Sequence, residues 1–279
     1  MNFGQTLLSF AALFLMTHTS AALPRIASLN LCADSLLLEL AAPSQIVSVS
    51  WLAQDAALSN YSELAKQFPS NHGHIEELIP YSPDLVFTGA NTSAIDNALL
   101  ARLGFEVIQI HPDGGFDDYE ANLRLVGKAI ERPERADILI SRFHTEITKL
   151  PPHKHANGII FQANGYSPGS DSLPGQMLAA AGLKNSNKEN LKGRFLSIEE
   201  LLKLRPGVIV LTSLNNENPS LADLYLSHPI LRSDRFSEGT DIAWKPKTVI
   251  VEEKYFNCGS QFIGKAISRI RNATNRILK

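Results

Sequence analysis

One helical segment near the middle of the chain constrains the fold more than any other feature. In residues 133–150 (PERADILISRFHTEITKL), apolar side chains recur at steps of three and four from Ala136 to Leu150, the period of one helical face. Pro133 and the acidic residues after it favour a helix start, and the prolines at 151–152 favour its end. The sequence therefore predicts a long amphipathic helix, able to cross between two domains.

Short apolar strands alternate with helices on both sides of this segment. Strands are predicted at residues 25–30, 45–50, 85–87, 106–110, 158–162, 208–211 and 248–251. Helices are predicted at residues 33–41, with Asn30 as the cap, and at 75–80, 93–103, 116–130, 175–181, 198–204, 221–227 and 261–271. Alternating strands and helices are typical of parallel sheets covered on both faces. The predicted fold is α/β: two Rossmann-like lobes with parallel sheets, joined by one long connecting helix.

Residues 1–22 have the pattern of a secretory signal peptide. The apolar run LLSFAALFLM is too short to span a bilayer, and small residues follow it at the expected cleavage positions. The alternative is a buried N-terminal helix. We predict cleavage near Ala22 and a mature protein that is soluble and exported. The remaining chain then divides into an N-terminal α/β lobe at 23–115, linking helices at 116–150 that include the inter-lobe helix, and a C-terminal α/β lobe at 151–279.

An internal repeat supports two related lobes. The segment IEELIPYSPDLV at residues 75–86 matches IEELLKLRPGVI at residues 198–209, once on each side of the long helix. Glu76 and Glu199 occupy the same place in the two copies, early in a short helix, where a carboxylate complements the helix dipole. Besides this capping role, the two glutamates could contact two basic pockets of a pseudo-symmetric partner.

Polar and aromatic residues collect where the predicted strands end, which is where open α/β sheets bind ligands. The first half supplies Asn30, Trp51 and Asn91, and the second half supplies Tyr166 and the loop 255–258. Trp51, Tyr166 and Trp244 could stack on a large flat ligand. Core packing of these aromatic residues is the alternative.

Two cysteines, Cys32 and Cys258, are present in the chain. In an oxidising compartment they form either a disulfide or two separate thiols, and the sequence leaves both possibilities open.

Catalytic motifs are scarce. The sequence contains neither a glycine-rich phosphate loop nor a Gly-x-Ser-x-Gly elbow. An exported α/β hydrolase or transferase remains an alternative, with Ser50, Ser213 or Cys258 as the nucleophile and His111 as the base.

A receptor for free zinc or manganese ions is a further alternative. It would be built on His72, His74 and His111, although a turn histidine held by the backbone explains the first two more simply. The formal net charge of -2 removes the main electrostatic reason to expect nucleic acid or an anionic membrane surface as a partner.

The signal peptide, the first strand RIASL, both copies of the repeat and the long helix together resemble the class III periplasmic binding proteins, the iron-complex and vitamin B12 receptors of ABC importers. The resemblance implies two Rossmann-like lobes with a ligand between them. It also implies docking on a membrane permease through Glu76 and Glu199. By position, the resemblance implies Trp51, Asn91, Tyr166 and the loop 255–258 as ligand-binding residues, and Arg194 for an anionic complex. Together with Asn30 and Trp244 from the strand ends and the aromatic residues, the predicted ligand-binding residues are Asn30, Trp51, Asn91, Tyr166, Arg194, Trp244 and Tyr255.

The predicted function is therefore that of a periplasmic substrate-binding protein rather than an enzyme. Its ligand would be a bulky metal complex, either a corrinoid such as cobalamin or a ferric siderophore, and its protein partner an ABC permease. We expect a monomer that needs no cofactor, has no catalytic residue and has no metal site of its own.

Overall fold

The computed structural model describes residues 22–111, 114–148, 156–187, 190–213, 221, 226, 228, 231, 244 and 246–277. Except for Ala22, the predicted signal peptide lies outside these residues, as does most of the predicted helix at 221–227. Within the described residues, no helix has both the length and the apolar composition that crossing a membrane requires.

The first lobe is built on a five-stranded parallel sheet with the order β3-β2-β1-β4-β5. Its strands are β1 (Ile26–Ser28), β2 (Ile46–Ser50), β3 (Ser70–Asn71), β4 (Leu85–Thr88) and β5 (Glu106–Gln109). Its helices are α1 (Leu31–Leu40), α2 (Ser62–Ala65) and α3 (Ala94–Arg102), with 3-10 helices at Pro43–Gln45, Trp51–Gln54 and Ile75–Tyr81. Asn30 caps α1 as predicted: its side chain accepts the backbone N–H groups of Cys32 and Ala33.

Two helices lead from the first lobe to the second. They are α4 (Phe116–Ala129) and α5 (Pro133–Thr148), and α5 begins at the predicted residue. The two helices pack closely, because a Cβ atom at Gly127 would lie 2.7 Å from the Cβ of Ala136. The predicted apolar face of α5 is buried at Ala136, Ile140 and Phe143. Periodicity therefore identified the buried face of this helix correctly.

The second lobe is built on a four-stranded parallel sheet with the order β11-β10-β6-β8. Its strands are β6 (Ala156–Phe161), β7 (Tyr166–Pro168), β8 (Leu183–Asn185), β9 (Gly193–Phe195), β10 (Val208–Ser213) and β11 (Lys247–Glu252). Strands β7 and β9 form a separate antiparallel ribbon. The helices of this lobe are α6 (Leu173–Ala180), α7 (Ile198–Leu204) and α8 (Ile263–Ile277). Strands β3, β7, β8 and β9 were not predicted, because strands of two or three residues are too short to show a period of two.

The predicted α/β class with parallel sheets in two lobes is confirmed. The lobes share one hydrophobic core, which includes Leu37 of α1, Phe143 of α5, Val210 of β10 and Ile267 of α8. A disulfide joins Cys32 at the start of α1 to Cys258 in the loop before α8, with 5.1 Å between their Cα atoms. Apolar packing and one covalent bond thus hold the two lobes together.

Both copies of the internal repeat end in the same unusual backbone conformation. Ser82 (φ 43°) follows the 3-10 helix Ile75–Tyr81, and Arg205 (φ 44°) follows α7. Each residue precedes a proline and then a buried strand. The matching left-handed residues extend the sequence repeat into three dimensions.

Candidate functional site

The carboxyl ends of the first-lobe strands form one edge lined with polar and aromatic residues. Because β3, β2, β1 and β4 are consecutive neighbours in the sheet, the residues that follow them lie side by side. These residues are His72, Trp51, Asn30 and Asn91. The structure therefore brings together three of the predicted ligand-binding residues and adds His72 to them.

Asn30 has a structural role at this edge. Its Oδ1 accepts the N–H of Cys32 at 2.9 Å, and its amide packs against the backbone of Gly89 after β4. A Cβ atom at position 89 would lie 2.2 Å from Asn30 Nδ2, so only glycine allows this approach. Asn30 thus fixes the spacing between the loops that follow β1 and β4.

A surface pocket of about 500 Å³ opens beside Asn30. It is lined by Asn30, His74, Glu76, Asn91, Asp96 and Leu99, among others. The loops after β1, β3 and β4 all contribute to this pocket, and Asn91 and Glu76 are exposed in it. The pocket therefore presents amide and carboxylate side chains to solvent beside the strand ends.

A buried polar network supports the same edge from below. Asn71 Nδ2 donates hydrogen bonds to the Ser28 carbonyl at 2.8 Å, the Ser48 hydroxyl at 2.8 Å and the Val49 carbonyl at 2.9 Å. Asp34 in α1 accepts hydrogen bonds from the backbone N–H of Ser50 at 3.1 Å and from the Ser50 hydroxyl. These bonds hold the ends of β1, β2 and β3 in fixed positions.

Asp34 is completely buried, and burial raises its pKa from 3.8 to about 7, against the opposing effect of its hydrogen bonds with Ser50 and Ser28. The sequence contains a signal for a buried polar site here: Asp34 and Glu39 interrupt an otherwise apolar helix. An acidic residue on such a helix needs a buried polar partner.

Trp51 and His72 form an exposed aromatic pair. The indole is 45% exposed, and its ring centroid lies 6.3 Å from that of the imidazole, with 27° between the ring planes. His72 Nδ1 lies 3.1 Å from Glu77 Oε1, and the backbone N–H of His72 donates to the other carboxylate oxygen. The ring of His72 is therefore oriented by a carboxylate. The sequence had suggested the backbone instead.

The second lobe presents its own aromatic pair just after β6. The rings of Tyr166 and Phe195 lie 5.3 Å apart on the β7–β9 ribbon, and Phe195 is 66% exposed. The Tyr166 hydroxyl donates to the Lys192 carbonyl at 3.2 Å. Tyr166 thus occupies the expected strand end, and Phe195 extends its aromatic surface.

Arg194 lies elsewhere than predicted. It alternates with Phe195 along β9 and therefore lies on the opposite face of the ribbon. Its guanidinium is paired with Glu200 at 2.6 Å and bonds Asn187 at 3.2 Å. It lines a pocket with Asn157, at the amino end of β6, so it is not part of the ligand edge.

Trp244 and Tyr255 also require correction. The Trp244 indole donates to the Pro206 carbonyl at 2.9 Å, where β10 and β11 begin rather than end. Tyr255 does follow β11, but its side chain is only 4% exposed and its ring packs under the Arg269 guanidinium, 4.7 Å away. The order of residues along the chain does not show which way a side chain turns.

The loop after β11 contacts the first lobe directly. Asn60 Nδ2 donates to the Lys254 carbonyl at 2.9 Å, and Asn257 Nδ2 donates to the Leu58 carbonyl at 3.2 Å. The disulfide of Cys258 lies in the same loop. The strand-end residues of the two lobes are therefore held in a defined relation by hydrogen bonds and a covalent bond.

The two docking candidates occupy equivalent positions. Glu76 and Glu199 are exposed and lie in the first turns of their helices, whereas the next glutamate in each copy is engaged. Glu77 bonds His72, and Glu200 bonds Arg194 and the backbone N–H of Ser197. A hydrogen bond with the Ser197 side chain is the largest effect that lowers the pKa of Glu199. The second glutamate of each copy thus pairs with a basic side chain, and the first is exposed to solvent.

Two of the three nucleophiles proposed for a hydrolase, Ser50 and Cys258, are held in other contacts. The Ser50 hydroxyl is buried and bonded to Asp34, and Cys258 is in the disulfide. Over the described ranges, no group of three or more His, Cys, Asp or Glu side chains could hold a metal ion. The three-histidine metal site is therefore not assembled among these residues.

Comparisons with known proteins agree with this geometry. The family model described as "Periplasmic binding protein" matches residues 26–233. No curated protein sequence gives a significant match.

Among solved structures, the periplasmic heme binding protein of Vibrio cholerae shares 18% identity, with a TM-score of 0.70 over 90% of this chain and 98% of that one. The periplasmic heme binding protein of Pseudomonas aeruginosa shares 16% identity, with a TM-score of 0.69 and coverages of 90% and 92%. The periplasmic vitamin B12 binding protein of Vibrio cholerae shares 16% identity, with a TM-score of 0.67 and coverages of 92% and 98%. At these identities the similarity establishes a common fold.

Proposed function

Since the chain belongs to the periplasmic binding protein family, we propose that it is the periplasmic substrate-binding protein of an ABC importer. It captures a bulky metal complex between its two lobes and delivers the complex to a permease, without catalysing a reaction. The complex is a corrinoid such as cobalamin or a ferric siderophore, and the heme named for two structural neighbours adds an iron porphyrin to these candidates.

The observation that carries this proposal is the exposed aromatic pair Trp51–His72 at the carboxyl edge of the first sheet. An indole exposed by almost half offers a wide, rigid and apolar surface at little entropic cost. Tyr166 and Phe195 repeat the arrangement at the corresponding edge of the second lobe. One aromatic pair from each lobe suits a large ligand with apolar faces better than a small ion or sugar.

The sequence offers a direct test, because the chain contains two tryptophans, of which only Trp51 lies at the ligand edge. Trp244→Phe leaves Trp51 as the fluorescent reporter, and Trp51→Phe leaves Trp244 as its matched control. Each mature protein is titrated with cyanocobalamin, hemin, a ferric hydroxamate and a ferric catecholate, with inner-filter correction, and stoichiometry is measured by calorimetry.

We expect saturable one-to-one binding of at least one complex, with stronger quenching in Trp244→Phe than in Trp51→Phe. Trp51→Phe should also weaken the affinity measured by calorimetry, because a smaller ring contacts less of the ligand. If the wild-type protein binds none of the four complexes, the proposed function is wrong.

Glu76 and Glu199 are proposed as the residues that dock on the permease. The two positions are structurally equivalent, and both side chains are exposed. The neighbouring Glu77 and Glu200 instead bond His72 and Arg194. Carboxylates at such positions can form charge-assisted hydrogen bonds with arginine side chains of a partner.

A further inference from the structure

We propose that the second lobe carries a separate site for a small, doubly charged oxyanion, of which phosphate, free or as an ester, is the type. The site is a pocket of about 360 Å³ beside β8 and the amino end of β6. Asn157, which lines it, lies four residues before the end of β6, roughly 13 Å along a strand. The pocket is therefore distinct from the strand ends at which the metal complex is proposed to bind.

The pocket is positively charged. Among the described residues that line it are the cations Lys184, Arg194 and Lys203, and none of these lining residues is acidic. Glu200, outside the lining, pairs with Arg194 at 2.6 Å and balances one of the three charges. Both lysines are exposed, and neither forms a hydrogen bond or an ion pair with a residue that the structure describes. Two positive charges thus remain without a partner, in a chain whose formal net charge is -2.

The guanidinium of Arg194 is held in a fixed position at this pocket. Its Nε donates to Asn187 Oδ1 at 3.2 Å, and its Nη1 donates to Glu200 Oε1 at 2.6 Å. Asn187 is only 3% exposed and is itself fixed, because its Nδ2 donates to the Ser167 carbonyl at 3.1 Å. The other terminal nitrogen of the guanidinium, Nη2, forms no hydrogen bond with a described residue. Arg194 therefore keeps a donor for a ligand and loses little side-chain entropy on binding.

Uncharged donors lie beside these cations. Asn157 and Lys184 are directly paired across β6 and β8, so their side chains project from the same face of the sheet. Within the described ranges, the exposed carboxamide of Asn157 has no hydrogen-bond partner. Ser186 also lines the pocket, and its buried hydroxyl has no hydrogen-bond partner either. An unpaired buried hydroxyl costs free energy, and rotation of this side chain allows it to donate to a bound anion.

This set of donors suits an oxyanion with two charges. Ammonium and guanidinium groups form strong charge-assisted hydrogen bonds with phosphate oxygens. A phosphate ester carries a charge of about −1.5 to −2 at pH 7 and has three strong acceptor oxygens, so it matches two unpaired lysines and an arginine donor. The volume of the pocket leaves room for the remainder of a small ester.

Calorimetric titration of the mature protein with sodium phosphate at pH 7 tests this inference, with ionic strength held constant by sodium chloride. Sulfate and glycerol 3-phosphate are titrated in the same way, the latter as the ester. The variant Lys184→Ala with Lys203→Ala removes both unpaired charges. The control, Lys66→Ala with Lys128→Ala, removes the same charge at exposed lysines of α4 and of the segment after α2.

We expect saturable one-to-one binding of at least one of the three anions to wild type and to the control. In Lys184→Ala with Lys203→Ala, the affinity should fall by at least about tenfold, the effect of losing one hydrogen bond to a charged group. The urea midpoint of this variant should stay close to that of the control, because both lysines are exposed. Tighter binding of glycerol 3-phosphate than of inorganic phosphate would identify an ester as the ligand, and the reverse order would identify the free ion.

Three results would overturn the inference. The first is the absence of saturable binding of phosphate, sulfate and glycerol 3-phosphate. The second is an unchanged affinity in Lys184→Ala with Lys203→Ala, which would place the anion elsewhere on the protein. The third is an equal loss in the control, which would reveal only a general effect of net charge. None of them bears on the proposed function, which is tested with metal complexes and with Trp51.

Discussion

Glu39 Oε1 accepts a hydrogen bond from the backbone N–H of Gln261 at 2.8 Å, which ties α1 of the first lobe to the segment that precedes α8 of the second. The hydroxyls of Tyr61 and Tyr119 donate to the same carboxyl group, the latter at 3.2 Å. The backbone carbonyl of Glu39 accepts a bond from Arg135 Nε of α5 at 3.1 Å. One buried acidic residue therefore connects α1 to four other parts of the molecule.

This arrangement predicts that stability falls as pH rises through the weakly acidic range. Burial raises the pKa of Glu39 from 4.5 to about 7, mainly by desolvation. Between these values the unfolded chain ionises while the folded protein stays protonated, so ionisation favours unfolding. Asp34, whose pKa is also raised to about 7, acts in the same direction. The melting temperature of Glu39→Gln, measured from pH 5 to pH 8, should depend on pH less than that of wild type.

Glutamine suits position 39, because its Oε1 can accept from Tyr61 and Gln261 while its Nε2 donates to the Tyr119 oxygen. The exposed Glu134 in the first turn of α5 is the matched control, and Glu134→Gln should keep the wild-type slope. An unchanged slope in Glu39→Gln would contradict the role assigned to this carboxyl group.

Removal of the disulfide should destabilise the protein by about 2–4 kcal/mol, because Cys32 and Cys258 close a loop of 226 residues in the unfolded chain. Urea unfolding of the oxidised and reduced wild type measures this difference. In the variant with Cys32→Ser and Cys258→Ser, the reductant should have no effect on the unfolding midpoint. Equal midpoints for oxidised and reduced wild type would show that the cross-link adds no stability.

Reversing the charge at Glu76 and Glu199 together should abolish transport and leave ligand affinity unchanged, because both side chains are exposed outside the core. Uptake by cells carrying Glu76→Arg with Glu199→Arg is compared with affinity of the purified protein. The control is Glu63→Arg with Glu134→Arg, which alters net charge equally at exposed glutamates elsewhere. A loss of affinity instead of transport would place Glu76, which borders the pocket beside Asn30, in the ligand site.

Glycine at either left-handed position should stabilise the protein by about 0.5–1 kcal/mol, because Ser82 and Arg205 have positive φ angles that cost energy for residues with a Cβ atom. Both side chains are exposed, so little packing is lost. Urea unfolding of Ser82→Gly and Arg205→Gly measures the effect. Lys203→Gly, inside α7, should instead destabilise by about 1 kcal/mol. Destabilisation by all three would mean that the backbone is not strained at these turns.

Features set by local sequence were predictable. The apolar period of α5, its start at Pro133 and the cap at Asn30 depend on residues within one or two helical turns, so the sequence reveals them directly. The duplicated IEEL segment predicted a related structure in each lobe, and the matching turns at Ser82 and Arg205 agree with it. Trp51 and Tyr166 were placed at strand ends because a parallel sheet puts its loops at one edge.

The direction of individual side chains was not predictable in this way. Tyr255 follows a strand, as expected, yet turns into the core under Arg269, and Trp244 precedes its strand and bonds Pro206. Arg194 lies on the far face of a short ribbon whose strands are too brief to show a period. These outcomes depend on contacts with residues distant in the chain, which no local pattern contains.

The sequence by itself thus determined the α/β class, the two lobes, the long helix and the sheet edge where Asn30, Trp51 and Asn91 collect, because periodicity, caps and repetition are local properties. Only the tertiary structure decided that Cys32 meets Cys258, that Glu39 is buried between the lobes and that Glu77 orients His72 beside Trp51. Each of these relations needs a particular distance and direction between side chains, and packing of the whole chain sets both.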